Sequence, residues 1–115
     1  MTGTRLGSGG EFDRVRAIAA ALGDDARHLG DDCAFLPGSW CASTDVSVDE
    51  VHFRRAWLDP EEIGWRATAA GLSDLAAVGA SAEAALVAVV LPESDATDLL
   101  AALMRGAGAA AHSVG

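Results

Sequence analysis

Residues 30–48 read GDDCAFLPGSWCASTDVSV. Two short apolar runs flank a Pro-Gly turn; a pair of carboxylates precedes them and a Ser-Thr-Asp triplet sits in the second. Cys33 to Leu36 and then Ser39 to Val48 predict two antiparallel strands joined at Pro37-Gly38. Asp31 and Asp32 therefore stand at the mouth of the first strand. In the second, Cys41, Ser43, Asp45 and Ser47 alternate with Ala42, Thr44, Val46 and Val48, so successive side chains take opposite faces. Asp is disfavoured within a strand. Asp45 is thus a strand end, a solvent-facing residue or part of a site. If Thr44 and Asp45 serve one site, the strand must end or bulge there, or one of them must act through its backbone.

Toward the N-terminus lies another Gly-Asp-Asp, residues 23–25. Phe12, Val15, Ile18, Ala19 and Leu22 recur at helical spacing, which predicts a helix over 11–22 with Gly23 as its stop. The first copy reads as a helix stop and polar turn. The second is left as the candidate for chemistry. Residues 1–10, MTGTRLGSGG, read as a loose Gly-rich arm. The stretch Gly3 to Gly10 precedes a helix N-terminus, where phosphate can bind; such arms are otherwise simply flexible.

Toward the C-terminus, Asp59-Pro60-Glu61-Glu62 is a helix start, with Asp59 as cap, Pro60 in the first turn and Glu62 closing a capping box. This helix should run to about Val78 and stop at Gly79. After Arg66 its only charge is Asp74. At about 100° per residue Asp74 shares a face with Ile63, Ala67 and Ala70. A helix apolar on nearly every side is a buried one. Glu83 to Leu91 predicts a third strand, stopped by Pro92. Ser94 or Asp95 then caps a last helix through Leu99, Leu100, Leu103 and Met104 to about His112. The order α-β-β-α-β-α is an α+β arrangement with helices covering one face of a sheet. It forms one domain over residues 11–115 behind the arm.

Composition narrows the function. Half of the 115 residues are hydrophobic, enough for a core. Seventeen acids oppose eight bases, for a net charge of −9, which excludes nucleic-acid binding through a basic surface. Cys33 and Cys41 match neither a CxxC redox pair nor a zinc knuckle and read as buried free thiols. The N-terminus lacks an apolar signal core. The uncharged stretch 84–92 is too short to span a bilayer. A cytoplasmic protein without membrane association is expected by default. Trp40, Trp57 and Trp65 read as core or interface, and His28 and His112 as structural. Gly106-x-Gly108 lies in an Ala-rich helix and is no dinucleotide fingerprint.

Asp32, Asp45 and Asp74 each interrupt an apolar element. A buried carboxylate is costly unless a cation meets it. Asp74 has no Lys or Arg on its own helix face, so it caps another helix, pairs with a distant Arg or binds metal. Carboxylates and hydroxyls without Cys or His are the donor chemistry of Mg²⁺, which keeps waters and bridges to phosphates. No D-x-D-x-D-G calcium loop is present.

Taken in order, Gly10-Glu11-Phe12, Gly30-Asp31-Asp32-Cys33-Ala34, Ser43-Thr44-Asp45, Val48-Asp49-Glu50-Val51-His52-Phe53, Gly64-Trp65-x-Ala67 and Leu72-Ser73-Asp74-Leu75-Ala76-Ala77-x-Gly79-Ala80 resemble the N-terminal domain of the thiamine-monophosphate kinase family. That family belongs to the ATP-binding superfamily of aminoimidazole ribonucleotide synthetase. Hydrogenase-maturation and selenophosphate relatives share the Asp-Asp and Asp-on-helix features. The Val-His-Phe and Leu-Ser-Asp-Leu-Ala-Ala segments favour the thiamine enzyme. The resemblance implies phosphoryl transfer from ATP to thiamine monophosphate. Asp32, Ser43, Thr44, Asp45 and Asp74 would be Mg²⁺ ligands, His52 would contact the substrate phosphate, and Asp31 would be an additional site residue. It also implies a homodimer whose sheets pair into a barrel.

The chain departs from the family pattern at Gly71, where Asn is usual. The family continues with Gly-Gly-Asp, of which only the first glycine, Gly115, is present, and then with a C-terminal domain. The isolated 115 residues are therefore expected to be inactive or nearly so. Two alternatives accompany this reading: a stand-alone dimerisation or binding module without catalysis, and a related superfamily enzyme with another substrate.

Overall fold

The structure, a computed structural model, describes residues 9–27, 29–92 and 96–115. The chain divides into two compact units, one ending at Ser43 and the other running Thr44–Gly115. Each is described by itself. The expected arm, His28 and the cap at Ser94 or Asp95 fall wholly or mainly outside the described residues.

In the first unit, α1 spans Gly10–Leu22, with Asp13 and Arg16 paired one turn apart. Gly23 has φ +60° and ψ −126°, a conformation side chains with a Cβ avoid, so the helix stops there. Residues 23–26 form a single 3₁₀ turn that buries Ala26. The first Gly-Asp-Asp is thus the polar turn its setting predicts.

The apolar runs form the expected hairpin: β1, Ala34–Leu36, is antiparallel to β2, Trp40–Ala42. Ala34 faces Ala42, Phe35 faces Cys41 and Leu36 faces Trp40. Pro37, Gly38 and Ser39 make the turn, Gly38 and Ser39 both at positive φ. The second strand was expected to reach Val48 but ends at Ala42. In this register Ser43 would pair with Cys33, which already lies in the bend at residues 31–33, so the ladder has no partner to continue on. Cys33 is buried and Cys41 half-buried, and both are free thiols.

The second unit is built on two helices. Asp59 N–H donates to Glu62 Oε2 at 3.0 Å, the capping box that opens α2, Pro60–Ala77. Gly79, at φ +72°, ends it. Gly79 N–H donates to Ala76 O and Ala80 N–H to Leu75 O, each at 3.0 Å, the paired bonds of a Schellman stop. α3 spans Ala96–His112 and buries one stripe, Leu99, Ala102, Gly106, Ala107 and Ala110. On α2 the buried residues are Ile63 and Gly64.

The helices cross at backbone distance. A Cβ placed on Gly64 would overlap the Leu103 carbonyl, and one on Gly106 would overlap the Glu61 carbonyl. Gly106 is therefore a packing residue, which explains a glycine in an otherwise Ala-rich helix. Arg105 Nε and Glu61 Oε1 meet across the crossing at 2.7 Å, both well exposed. An exposed pair contributes little. Arg105→Gln should lower stability by less than about 1 kcal/mol in denaturant titration; a larger loss would show that the pair, not the glycine contact, holds the crossing.

Three expectations are corrected. Residues 83–91 form no strand: a strand exists through its ladder, no described segment pairs with this one, and Leu86 and Val90 are fully exposed. α2 is far less buried than its composition predicted, because α3 covers only the face around Ile63 and Gly64. Of the core-or-interface reading of Trp40, Trp57 and Trp65, the core half is excluded, because all three are exposed. The fold remains α+β, with a two-stranded antiparallel sheet and helices. No helix among the described residues is long and apolar enough to cross a membrane.

Candidate functional site

Gly30, at φ +100°, turns the chain into the bend that carries Asp31 and Asp32. Both side chains are exposed, directly ahead of buried Cys33. Ser43, half-buried, follows the last residue of β2. These three belong to the first unit.

Thr44 and Asp45 open the second unit, both exposed and outside any strand. The condition set by the sequence, that the strand end before they can serve one site, is met at Ala42. Asp45 Oδ1 accepts from Val46 N–H at 2.8 Å. This bond fixes the carboxylate and leaves Oδ2 available as a donor atom.

A tight turn then positions His52. The N–H groups of Val51 and His52 both donate to Val48 O, and Glu50 N–H donates to Phe53 O at 2.8 Å. Val48 N–H donates to His52 Nδ1 at 2.9 Å. With Nδ1 accepting, the ring hydrogen of neutral His52 sits on Nε2, which is left as a donor. Asp49 Oδ1 braces the same loop by accepting from Glu50 N–H and Arg55 N–H.

The loop and α2 line an open, solvent-facing cavity of about 170 Å³. Asp45, Ser47 and His52 line it from the loop, and Ile63, Arg66 and Ala70 from the helix. The structure thus brings Asp45 and His52, seven residues apart in sequence, onto one cavity. Asp74 is half-buried and does not line it; it lies one turn beyond Ala70 on the same stripe of α2. Among the described residues, no three His, Cys, Asp or Glu side chains converge as a ligand group. Arg66 was passed over in the sequence as the last charge before an apolar stretch. Its spacing of three from Ile63 and four from Ala70, both on the stripe assigned to the site, was the available signal.

The family model for AIR synthase related protein, N-terminal domain, matches residues 30–115. The chain is 45% identical over 71 residues to a thiamine-monophosphate kinase of Synechococcus elongatus, covering 58% of this chain and 22% of that protein. It is 35% identical over 109 residues to the thiamine-monophosphate kinase of Corynebacterium glutamicum, covering 90% and 32%. Against that of Escherichia coli K12 the identity is 39% over 90 residues, covering 73% and 26%. The chain spans less than a third of the length of these curated relatives. No solved structure matches it. The matched segment begins at Gly30, takes in the Asp31-Asp32 bend, the cavity and Asp74, and reaches Gly115; the chain belongs to the AIR synthase related protein N-terminal domain family.

Proposed function

We propose that this chain is the N-terminal, metal- and substrate-binding part of an ATP-dependent kinase that converts thiamine monophosphate to thiamine diphosphate. The observation that carries the reading is the convergence of Asp45 and His52 on one cavity, in a chain whose curated relatives are named thiamine-monophosphate kinase. Phosphoryl transfer asks a protein mainly to position two anionic partners and to neutralise their charge.

The donor set fits Mg²⁺. Asp45 offers a fixed carboxylate with one oxygen uncommitted, and Ser47 adds a hydroxyl on the same cavity. Mg²⁺ is usually held by one or two carboxylates together with waters and substrate phosphates rather than by an all-protein cage, so a cluster of three acids is not required. In this reading Asp32, Ser43, Thr44, Asp45 and Asp74 hold Mg²⁺, Asp31 assists, and the metal neutralises phosphate charge. His52 donates its Nε2–H to the substrate phosphate. ATP is the co-substrate. A homodimer in the cytoplasm belongs to the same reading; Leu86 and Val90 supply exposed apolar side chains that a second copy would cover.

The test is to incubate the complete protein with ATP, Mg²⁺ and thiamine monophosphate and to assay thiamine diphosphate. Its formation is the expected result. Turnover of a different phosphate acceptor without thiamine diphosphate would replace the substrate. No ATP consumption with any acceptor would remove the kinase.

A further inference from the structure

We infer that Arg66 is a further anion-contact residue of this cavity, taking phosphate oxygens together with the His52 Nε2–H. The inference rests on the reading of the cavity as a phosphate site and adds a residue to it. Arg66 lines the cavity with His52 and Asp45. Arg16, Arg54 and Arg105 are each paired with a carboxylate, of Asp13, Glu50 and Glu61. Arg66, by contrast, has no hydrogen bond or ion pair among the described residues, not even with the Asp45 carboxylate on the same cavity.

An exposed guanidinium without a protein partner on a concave surface offers a planar fork of donors, the geometry that takes phosphate oxygens bidentately. Its place on the wall is set by α2: Arg66 follows Ile63 by one turn and precedes Ala70 by another, and all three line the cavity. His52 contributes one N–H from the loop, because its Nδ1 is occupied by Val48 N–H. The cavity, about 170 Å³, is several times the ~30 Å³ share of one water, room for a phosphate group and part of its hydration. The net charge of −9 gives no general attraction for anions, so phosphate binding here must come from these local donors.

The experiment is an NMR titration of the 115-residue chain with inorganic phosphate in the presence of Mg²⁺, following the His52 ring and the Arg66 guanidinium. Saturable shifts of both are expected. Arg66→Gln should weaken binding about tenfold, the scale of one charge-assisted hydrogen bond, with Arg66→Lys recovering part of the loss. Arg14 is the control: it sits on α1, is likewise unpaired among the described residues and does not line this cavity. Arg14→Gln should leave the titration unchanged. Absence of saturable binding, wild-type affinity in Arg66→Gln, or equal weakening in Arg14→Gln would each overturn the assignment. If phosphate binds through Arg66 while the complete protein forms no thiamine diphosphate, the substrate reading falls and the Arg66 assignment stands.

Discussion

Asp45→Asn and Asp74→Asn in the complete protein are each expected to slow thiamine diphosphate formation by a hundredfold or more, on the order of the loss when one preorganised charge-stabilising group is removed, with the fold retained. The substitution is nearly isosteric. At Asp45 an Asn carbonyl can still accept from Val46 N–H, the bond that now fixes the side chain, and the bonds that hold the His52 loop, from Val48 N–H to His52 and from Glu50 and Arg55 N–H to Asp49, are untouched. What is lost is the negative charge and with it a strong Mg²⁺ donor. At Asp74 the side chain is half-buried in the interior of α2, one turn past the cavity wall. A purely structural Asp74 makes a different prediction: Asn would lower the melting temperature and leave the Mg²⁺ dependence of the rate alone. The two readings separate in one experiment, rate against Mg²⁺ concentration beside a thermal melt. A raised Mg²⁺ requirement at unchanged melting temperature is the expected pair of results. Near-normal turnover in both variants would end the metal assignment.

The elements that local chemistry determines were legible in the sequence. Glu62 reaching back to Asp59 N–H and Gly79 taking positive φ after Ala77 are choices made within a few residues, and both helix ends fell where such chemistry places them. The Pro37-Gly38 turn and the role of the first Gly-Asp-Asp belong to the same class. What failed depends on partners. Residues 83–91 carry strong strand propensity, but propensity does not supply a neighbouring ladder, and Val90 stays fully exposed. α2 is apolar all round, yet a single packed helix covers only one face of it. Asp45 and His52 were singled out in the sequence by chemistry and motif, and the structure places both on one cavity. Arg66 was passed over because an Arg near a helix start is unremarkable until a loop from earlier in the chain lines the same cavity. The glycine pair was missed for the same reason: nothing local distinguishes Gly64 and Gly106, which pack against the opposite helix, from Gly71 and Gly108, which face open space.

That distinction gives the second large effect. By helix propensity alone, Gly→Ala in a helix interior should stabilise by up to about 1 kcal/mol. Gly71→Ala should follow this rule, since a Cβ there meets nothing within 4 Å. Gly64→Ala should do the opposite. Its Cβ would overlap the Leu103 carbonyl oxygen and come within 2.8 Å of the carbonyl carbon. A main-chain carbonyl cannot move aside by changing rotamer, so α2 and α3 must separate. Overpacking of this kind costs about 1–3 kcal/mol and occasionally more; with backbone as the obstacle the upper end, about 3 kcal/mol, is expected. Gly106→Val should cost more still, because its first added carbon already meets the Glu61 carbonyl and the Trp65 amide nitrogen. Against a total stability of about 5–15 kcal/mol, either loss is a large fraction. Denaturant midpoints for Gly64→Ala and Gly71→Ala should therefore move in opposite directions. A Gly64→Ala midpoint at or above wild type would mean that the helices do not cross at backbone distance. The same variant bears on the site: Gly64 lies between Ile63 and Arg66, so a shift of α2 away from α3 moves one wall of the cavity, and phosphate affinity should fall with stability in Gly64→Ala but not in Gly71→Ala.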